Sequence, residues 1–431
     1  MVKIYIDILL KSFTQKAHNY IRYNKTILIF GSSNFFVLIF NSLFSLFILR
    51  YVNPEDLGFF NKVLLVSAYI VLLNLSVGVI VQKEVPGLLA TNKKNEAFEI
   101  LQNVKGYFLI ILIPITVILI VYLVFSLFSN QFLNSFATLL IITNIWQLIY
   151  VNKYLKLLYR TSNEFNNLSK AQFLSSFLYL PSILCLYLFS YLGLYLKHIF
   201  IFIFDLVYLS IKAPFKLKPS FNKNKILKIL KQSLPIFFVN LFYNYYFILI
   251  STFFAFYFDL KTFGFFSLFF LIVNAFNKLI VSIEKVFYVS FSEAVYRKDD
   301  LKKTIFNFVK NTLIPFVFFY IVALSIIFYF LNDLIMLFTP KYIDAAGIIK
   351  LSLVYVSLLF LKFFNVIYDN LNFQKKKLFS VLIKYIFCLT MILYFMIYDS
   401  ISPELLIKIL IFSELPSFIF NTIFVFKLKS T

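Results

Sequence analysis

Apolar residues fill this chain in long unbroken runs, separated by short polar stretches. About twelve runs reach the ~20 residues that a helix needs to cross a ~30 Å hydrocarbon core. They lie near 28–49, 62–82, 106–128, 132–152, 171–191, 195–212, 235–257, 264–284, 312–331, 347–368, 378–397 and 405–426. Within them the apolar positions are continuous and do not alternate every second residue, which predicts helices and argues against a barrel. The expected fold class is all-α, a polytopic membrane protein of about twelve transmembrane helices. Composition agrees, with 61% hydrophobic and 14% charged residues. No water-soluble core could hide that much Phe, Ile and Leu.

The polar stretches alternate in charge. One set of loops holds only Arg50, Lys62, Lys197, Lys261, Lys341, Lys350 and Lys408, while Lys278 and Lys362 fall inside runs. All the remaining Lys and Arg, of 41 in total, lie on the other side or at the termini. By the positive-inside rule the rich side is cytoplasmic, with both termini inside. The net charge of +22 is then a consequence of topology, and no nucleic-acid partner is implied. Residues 1–27 mix Ile4, Ile8 and Leu9 with Lys11 and Lys16, which suits an amphipathic segment on the cytoplasmic surface rather than a cleaved signal.

Chemistry-bearing residues are sparse. Cys185 and Cys388 sit in apolar runs, and His18 and His198 are the only histidines. That argues against a His-based metal site and against a Ser-His or Cys-His nucleophile, so no catalytic residues, metal or cofactor are expected. No Gly-rich phosphate loop occurs, so any transport is not driven by ATP hydrolysis within this chain.

One phrase occurs twice. Tyr51-Val52-Asn53-Pro54-Glu55-Asp56-Leu57-Gly58-Phe59-Phe60 returns as Tyr257-Phe258-Asp259-Leu260-Lys261-Thr262-Phe263-Gly264-Phe265-Phe266. Each copy follows one apolar run and leads into another. Duplication predicts two six-helix halves around a central cavity, as in many secondary transporters. The halves are 28–212 and 235–431, joined by a basic linker over 213–234 in which Pro214 and Pro219 stop the preceding helix.

Polar groups within spans are costly and tend to face a protein interior or a watery path. Asn274, Lys278, Ser282, Lys285, Tyr288 and Ser292 share one helix face. They form either a cationic wall for an anionic substrate or a set of ordinary ion pairs and headgroup contacts. Asn240, Asn244 and Ser251, with Asn34, Asn41 and Ser45, and with Ser67, Asn74 and Gly78, either line a shared cavity or join helices by hydrogen bonds. Tyr355, Lys362 and Asp369 form a stripe, and Arg50 either meets a phosphate or anchors a helix end. Asp205 and Glu414 are isolated carboxylates that either carry protons or pair with Lys278 or Lys362.

The stretch Leu49-Arg50-Tyr51-Val52-Asn53-Pro54-Glu55-Asp56-Leu57-Gly58 resembles the segment after the first span of bacterial polysaccharide flippases, the O-antigen and capsule repeat-unit translocases of the multidrug/oligosaccharidyl-lipid/polysaccharide superfamily. Ser233-Leu234-Pro235 and Phe338-Thr339-Pro340-Lys341-Tyr342 resemble it too, and Leu75-Ser76-Val77-Gly78 does so loosely, with Ser where an acidic residue is frequent. The resemblance implies alternating-access transport of undecaprenyl-pyrophosphate-linked oligosaccharide from the cytoplasmic to the periplasmic leaflet of the inner membrane, for O-antigen (lipopolysaccharide), capsule or exopolysaccharide synthesis. It also implies H+ or Na+ coupling, and polymerase and chain-length proteins as partners. Within this architecture the alternatives are a lipid II flippase, for which two further C-terminal spans are expected, or a multidrug exporter. Outside it, the alternative is an O-antigen polymerase or membrane glycosyltransferase.

Overall fold

The computed structural model describes residues 36–37, 40–41, 44–45, 47–162, 164–244, 246–297, 306, 310, 314–371, 373–398 and 401–426. Among these residues the chain is helical, without strands. The expected surface segment 1–27 and Asn34 lie outside the described residues. Contacts divide the chain into two units: unit 1 holds Val66–Leu234 with the segment ending at Phe44, and unit 2 holds Ser45–Leu65 with Pro235–Thr431. The third and last passage between units falls inside a helix at Pro235, which removes a backbone donor there.

Helix α1 (Pro54–Val71) begins in unit 2 and continues into unit 1. Unit 1 then runs through α2 (Val77–Ala90), α3 (Lys94–Phe128), α4 (Phe132–Ile145), a π-helical stretch (Trp146–Leu155), α5 (Lys156–Thr161), α6 (Phe165–Phe177), α7 (Tyr179–Phe189), α8 (Leu192–Ile211) and the first turns of α9 (Lys223–Asn244). Unit 2 takes the rest of α9, then α10 (Tyr246–Tyr257), α11 (Leu260–Arg297), α12 (Ile314–Tyr329), α13 (Leu331–Phe338), α14 (Ala346–Ser357), a 3₁₀ stretch (Leu358–Lys362), α15 (Phe363–Asn370), α16 (Gln374–Tyr398) and α17 (Pro403–Phe426). Nine helices among the described residues are long and apolar enough to cross a bilayer, or ten if the pair α12 and α13, bent by 64°, counts as one. Helix α3 shows why lipid must be the solvent: Ile118, Val121, Phe125 and Phe128 are each more than half exposed on its surface.

Several spans depart from the pattern of runs. The run at 62–82 is two helices, because Leu75 and Ser76 are left-handed at φ 44° and 57°. Asn74 makes this break tolerable. Its amide donates to the Val71 carbonyl, and its Oδ1 accepts the Ser76 N–H at 2.9 Å, so backbone groups freed by the break are satisfied. The run at 132–152 continues to Thr161, which draws Lys153, Lys156 and Arg160 from an expected loop into a helix.

The linker is ordered as well. Residues 213–222 lie along α3, where Lys105 Nζ donates to the Leu217 carbonyl at 2.8 Å and the Ser220 N–H to Gln102 at 3.0 Å. Gly106 allows this approach, since a methyl group there would overlap the Ser220 carbonyl. From Lys223 onward the expected linker is already α9.

The repeated phrase has a structural counterpart within unit 2. Helices α1 and α11 begin at the matching positions Pro54 and Leu260 and cross at Gly58 and Gly264. A methyl on Gly58 would overlap the Leu260 carbonyl, and one on Gly264 would overlap the Pro54 carbonyl. The contact is reciprocal, as two copies related by a local two-fold require. Beside it, Lys341 Nζ donates to Asn53 Oδ1 at 3.0 Å, and the buried Tyr342 hydroxyl to the Val52 carbonyl at 3.1 Å.

Candidate functional site

Each unit carries a carboxylate inside its last described helix pair, and each carboxylate is held by a lysine. In unit 1, Asp205 of α8 is almost fully buried at 2% exposure. Its Oδ2 accepts Lys156 Nζ of α5 at 2.8 Å and Gln147 Nε2 of the π-helical stretch at 2.9 Å. The π-helical winding alters the register of the residues before α5, a feature that recurs at functional positions. In unit 2, Glu414 of α17 accepts the Tyr355 hydroxyl of α14 at 2.9 Å and is paired with Lys384 of α16. The Lys384 ammonium also lies 6.0 Å from the centre of the Tyr355 ring.

The sequence leaves open whether these carboxylates carry protons or pair with Lys278 or Lys362. Helix α8 packs on the π-helical stretch and α17 packs on α16, which brings Lys156 and Lys384 to these carboxylates, while the side chains of Lys278 and Lys362 lie outside the described residues. Neither Lys156 nor Lys384 could be singled out by sequence, because Lys156 lies just after the fourth run and Lys384 near the start of the eleventh, where the charge pattern assigns both to basic loops. Gln147 and Tyr355 complete the two carboxylate environments.

The other predicted residues are dispersed. Asn74 is buried and spends its amide on the local backbone turn. Asn41 is half-buried in unit 1, Arg50 is exposed at the end of a helix in unit 2, and Asn274 is exposed on α11. Lys278 and Lys285 occupy positions on α11, Asn240 and Asn244 on α9, and Lys362 the end of the 3₁₀ stretch. The side chains of these five lie outside the described residues. No cluster of His, Cys, Asp and Glu among the described residues suits a metal ion.

The units correspond further than the repeated phrase. The offset that separates Gly58 from Gly264 also separates Lys156 from Lys362. Both lysines stand where a span leaves regular α geometry, Lys156 just after the π-helical stretch and Lys362 at the close of the 3₁₀ stretch. A carboxylate follows each, Asp205 in α8 and Glu414 in α17, with a small slip in register.

The helical fold is shared with solved transporters. The lipid II flippase MurJ, in an inward closed conformation, superposes with a TM-score of 0.65 over 93% of this chain and 88% of its own, at 14% identity. An inward-facing multidrug resistance MATE family transporter of the MOP superfamily superposes at 0.64 over 89% and 93%, also at 14% identity. The chain has the fold of the MOP-superfamily transporters. A third MOP-fold protein, from Pyrococcus furiosus, superposes at 0.61 over 93% and 95% with 14% identity, and is described as having a binding pocket of reverse polarity that suggests a different function. Likeness within the MOP fold is structural: no family model and no curated protein sequence matches this chain.

Proposed function

We propose that this protein is a flippase that moves polyprenyl-pyrophosphate-linked oligosaccharide repeat units from the cytoplasmic to the periplasmic leaflet, for O-antigen, capsule or exopolysaccharide synthesis. The observation that carries this reading is the number of lysines that the sequence places on the helices of unit 2. In unit 1, Lys156 is neutralised by Asp205. In unit 2, the corresponding Lys362 accompanies a carboxylate, Glu414, that is already bound by Lys384 and Tyr355. Lys278 adds a further cation midway along α11. The helices of unit 2 are thus richer in cations than in carboxylates, which suits a diphosphate and opposes a cationic drug. A lysine at mid-span costs about 2.5–3.5 kcal/mol, so it is retained where an anion rewards it.

In this reading Lys278, Lys285 and Lys362 meet the pyrophosphate, while Asn240, Asn244, Asn274 and Asn41 offer hydrogen bonds to sugar hydroxyls. The polyprenyl tail stays in lipid. Asp205 and Glu414, each within hydrogen-bond reach of a lysine, are the residues to which H+ coupling is assigned. The protein acts as a transporter and makes no covalent bond.

The test is deletion of the gene in its host, with lipid-linked oligosaccharides sorted by leaflet. Complete units accumulating on the cytoplasmic side, relieved by the wild-type gene but not by Lys278→Ala at equal protein level, are expected. Complete units that reach the periplasm and fail to polymerise would instead identify a polymerase.

A further inference from the structure

The geometry points to a second ligand site, a groove on α8 that binds one hydrocarbon chain of an anionic phospholipid. Every third or fourth residue of α8 from Phe200 lines it: Phe200, Ile203, Phe204, Val207, Tyr208 and Ile211. This stripe is one face of the helix. The other face carries the buried Asp205 and Leu209 into unit 1, and among the described residues Ile203, Val207 and Ile211 of the stripe stay exposed. Leu178, at the junction of α6 and α7, closes one side, and the groove encloses about 520 Å³. Phe204 and Tyr208 stack with ring centres 5.6 Å apart and form a flat wall.

Length and charge identify the occupant. From Phe200 to Ile211 the helix rises about 17 Å, close to half of a ~30 Å hydrocarbon core. The groove therefore spans one leaflet. Lys212 is its single charged lining residue and stands at one end. Lys216 and Lys218 follow shortly after it in the sequence. A linear chain below and an anionic phosphate above fit this arrangement, and by the positive-inside rule the leaflet is the cytoplasmic one. Val207 and Ile211 are each more than half exposed, so a tryptophan at Val207 fills the groove without disturbing a core.

The full-length protein in nanodiscs of equal phosphatidylglycerol and phosphatidylethanolamine, released and weighed by native mass spectrometry, tests this directly. Wild type should retain phosphatidylglycerol above its supplied share. Lys212→Ala should reduce that preference about fivefold, as for the loss of one basic residue at an anionic surface. Val207→Trp should remove the retained lipid whatever its headgroup. Phosphatidylglycerol with a photoactivatable acyl chain should cross-link within 200–211 in the wild type, which keeps the test independent of variant folding. Retention at the supplied ratio in all three proteins, or cross-links spread evenly over the lipid-facing helices, would overturn the site. So would preferential retention of added polyprenyl phosphate over phosphatidylglycerol. None of these outcomes depends on whether the protein flips an oligosaccharide.

Discussion

The two units solve the same problem differently. Both hold a carboxylate, Asp205 in α8 and Glu414 in α17, and a lysine where the fourth span becomes irregular. In unit 1 these two residues meet: Lys156 and Asp205 are bonded, with side chains 15% and 3% exposed. In unit 2 the carboxylate is taken by a lysine of the neighbouring helix, Lys384, and the pair is 16% and 14% exposed. The charged positions thus recur in the two units, and the lysine seen on the carboxylate comes from a different helix in each. The lesson is that in unit 1 the carboxylate meets the lysine of its fourth span, while in unit 2 Glu414 meets Lys384 of the neighbouring helix.

The sharpest way to break this comparison is to remove one partner of the deeper pair. Asp205→Ala strands Lys156 and should destabilise unit 1 by roughly 3–5 kcal/mol, the usual consequence of leaving a buried charge uncompensated. Thermal unfolding in detergent would show it, and Lys156→Met with Asp205→Leu together should recover most of the loss. Recovery only by a pair that restores opposite charges would mean that the ion pair has a role beyond neutralisation.

Lys362→Gln sharpens the comparison from the other side. It should leave thermal stability near wild type but reduce export about tenfold or more, the loss expected when a charged hydrogen bond to substrate is removed. Equal loss of stability and export would place Lys362 with Lys156 as a structural residue. Tyr355→Phe removes one donor to Glu414 and should cost roughly 1.5–3 kcal/mol at most, since Lys384 still holds the carboxylate. At the small end stands Lys93→Ala. Its pair with Glu96 is 58% and 59% exposed, so stability should change by less than about 1 kcal/mol.

Much of the architecture was legible because it depends on local signals. Continuous apolarity marks a span wherever it occurs, and the repeated phrase pointed to two related halves. The phrase even marked a contact, since Gly58 and Gly264 are the residues on which α1 and α11 cross. What the pattern missed depends on pairing at a distance. Lys156 and Asp205 are 49 positions apart and Lys384 and Glu414 are 30 apart, so nothing local joins them. A lysine near the end of an apolar run reads as a loop charge until a carboxylate from another helix is seen beside it. The break at Leu75–Ser76 was hidden for a similar reason. Neither residue is glycine or proline, and the turn is held by the Asn74 side chain, for which the pattern offers either a cavity or a bond between helices.

The account rests on a lipid-linked anion crossing the bilayer through this chain. The most direct measurement is transbilayer movement of a polyprenyl-pyrophosphate oligosaccharide in proteoliposomes containing only the purified protein, followed by the accessibility of the sugar to an external lectin. Movement is expected with the wild type, strongly reduced with Lys278→Ala and Lys362→Gln, and unchanged with Lys93→Ala. Equal lectin accessibility in protein-containing and empty vesicles, with the same protein verified as folded, would contradict it.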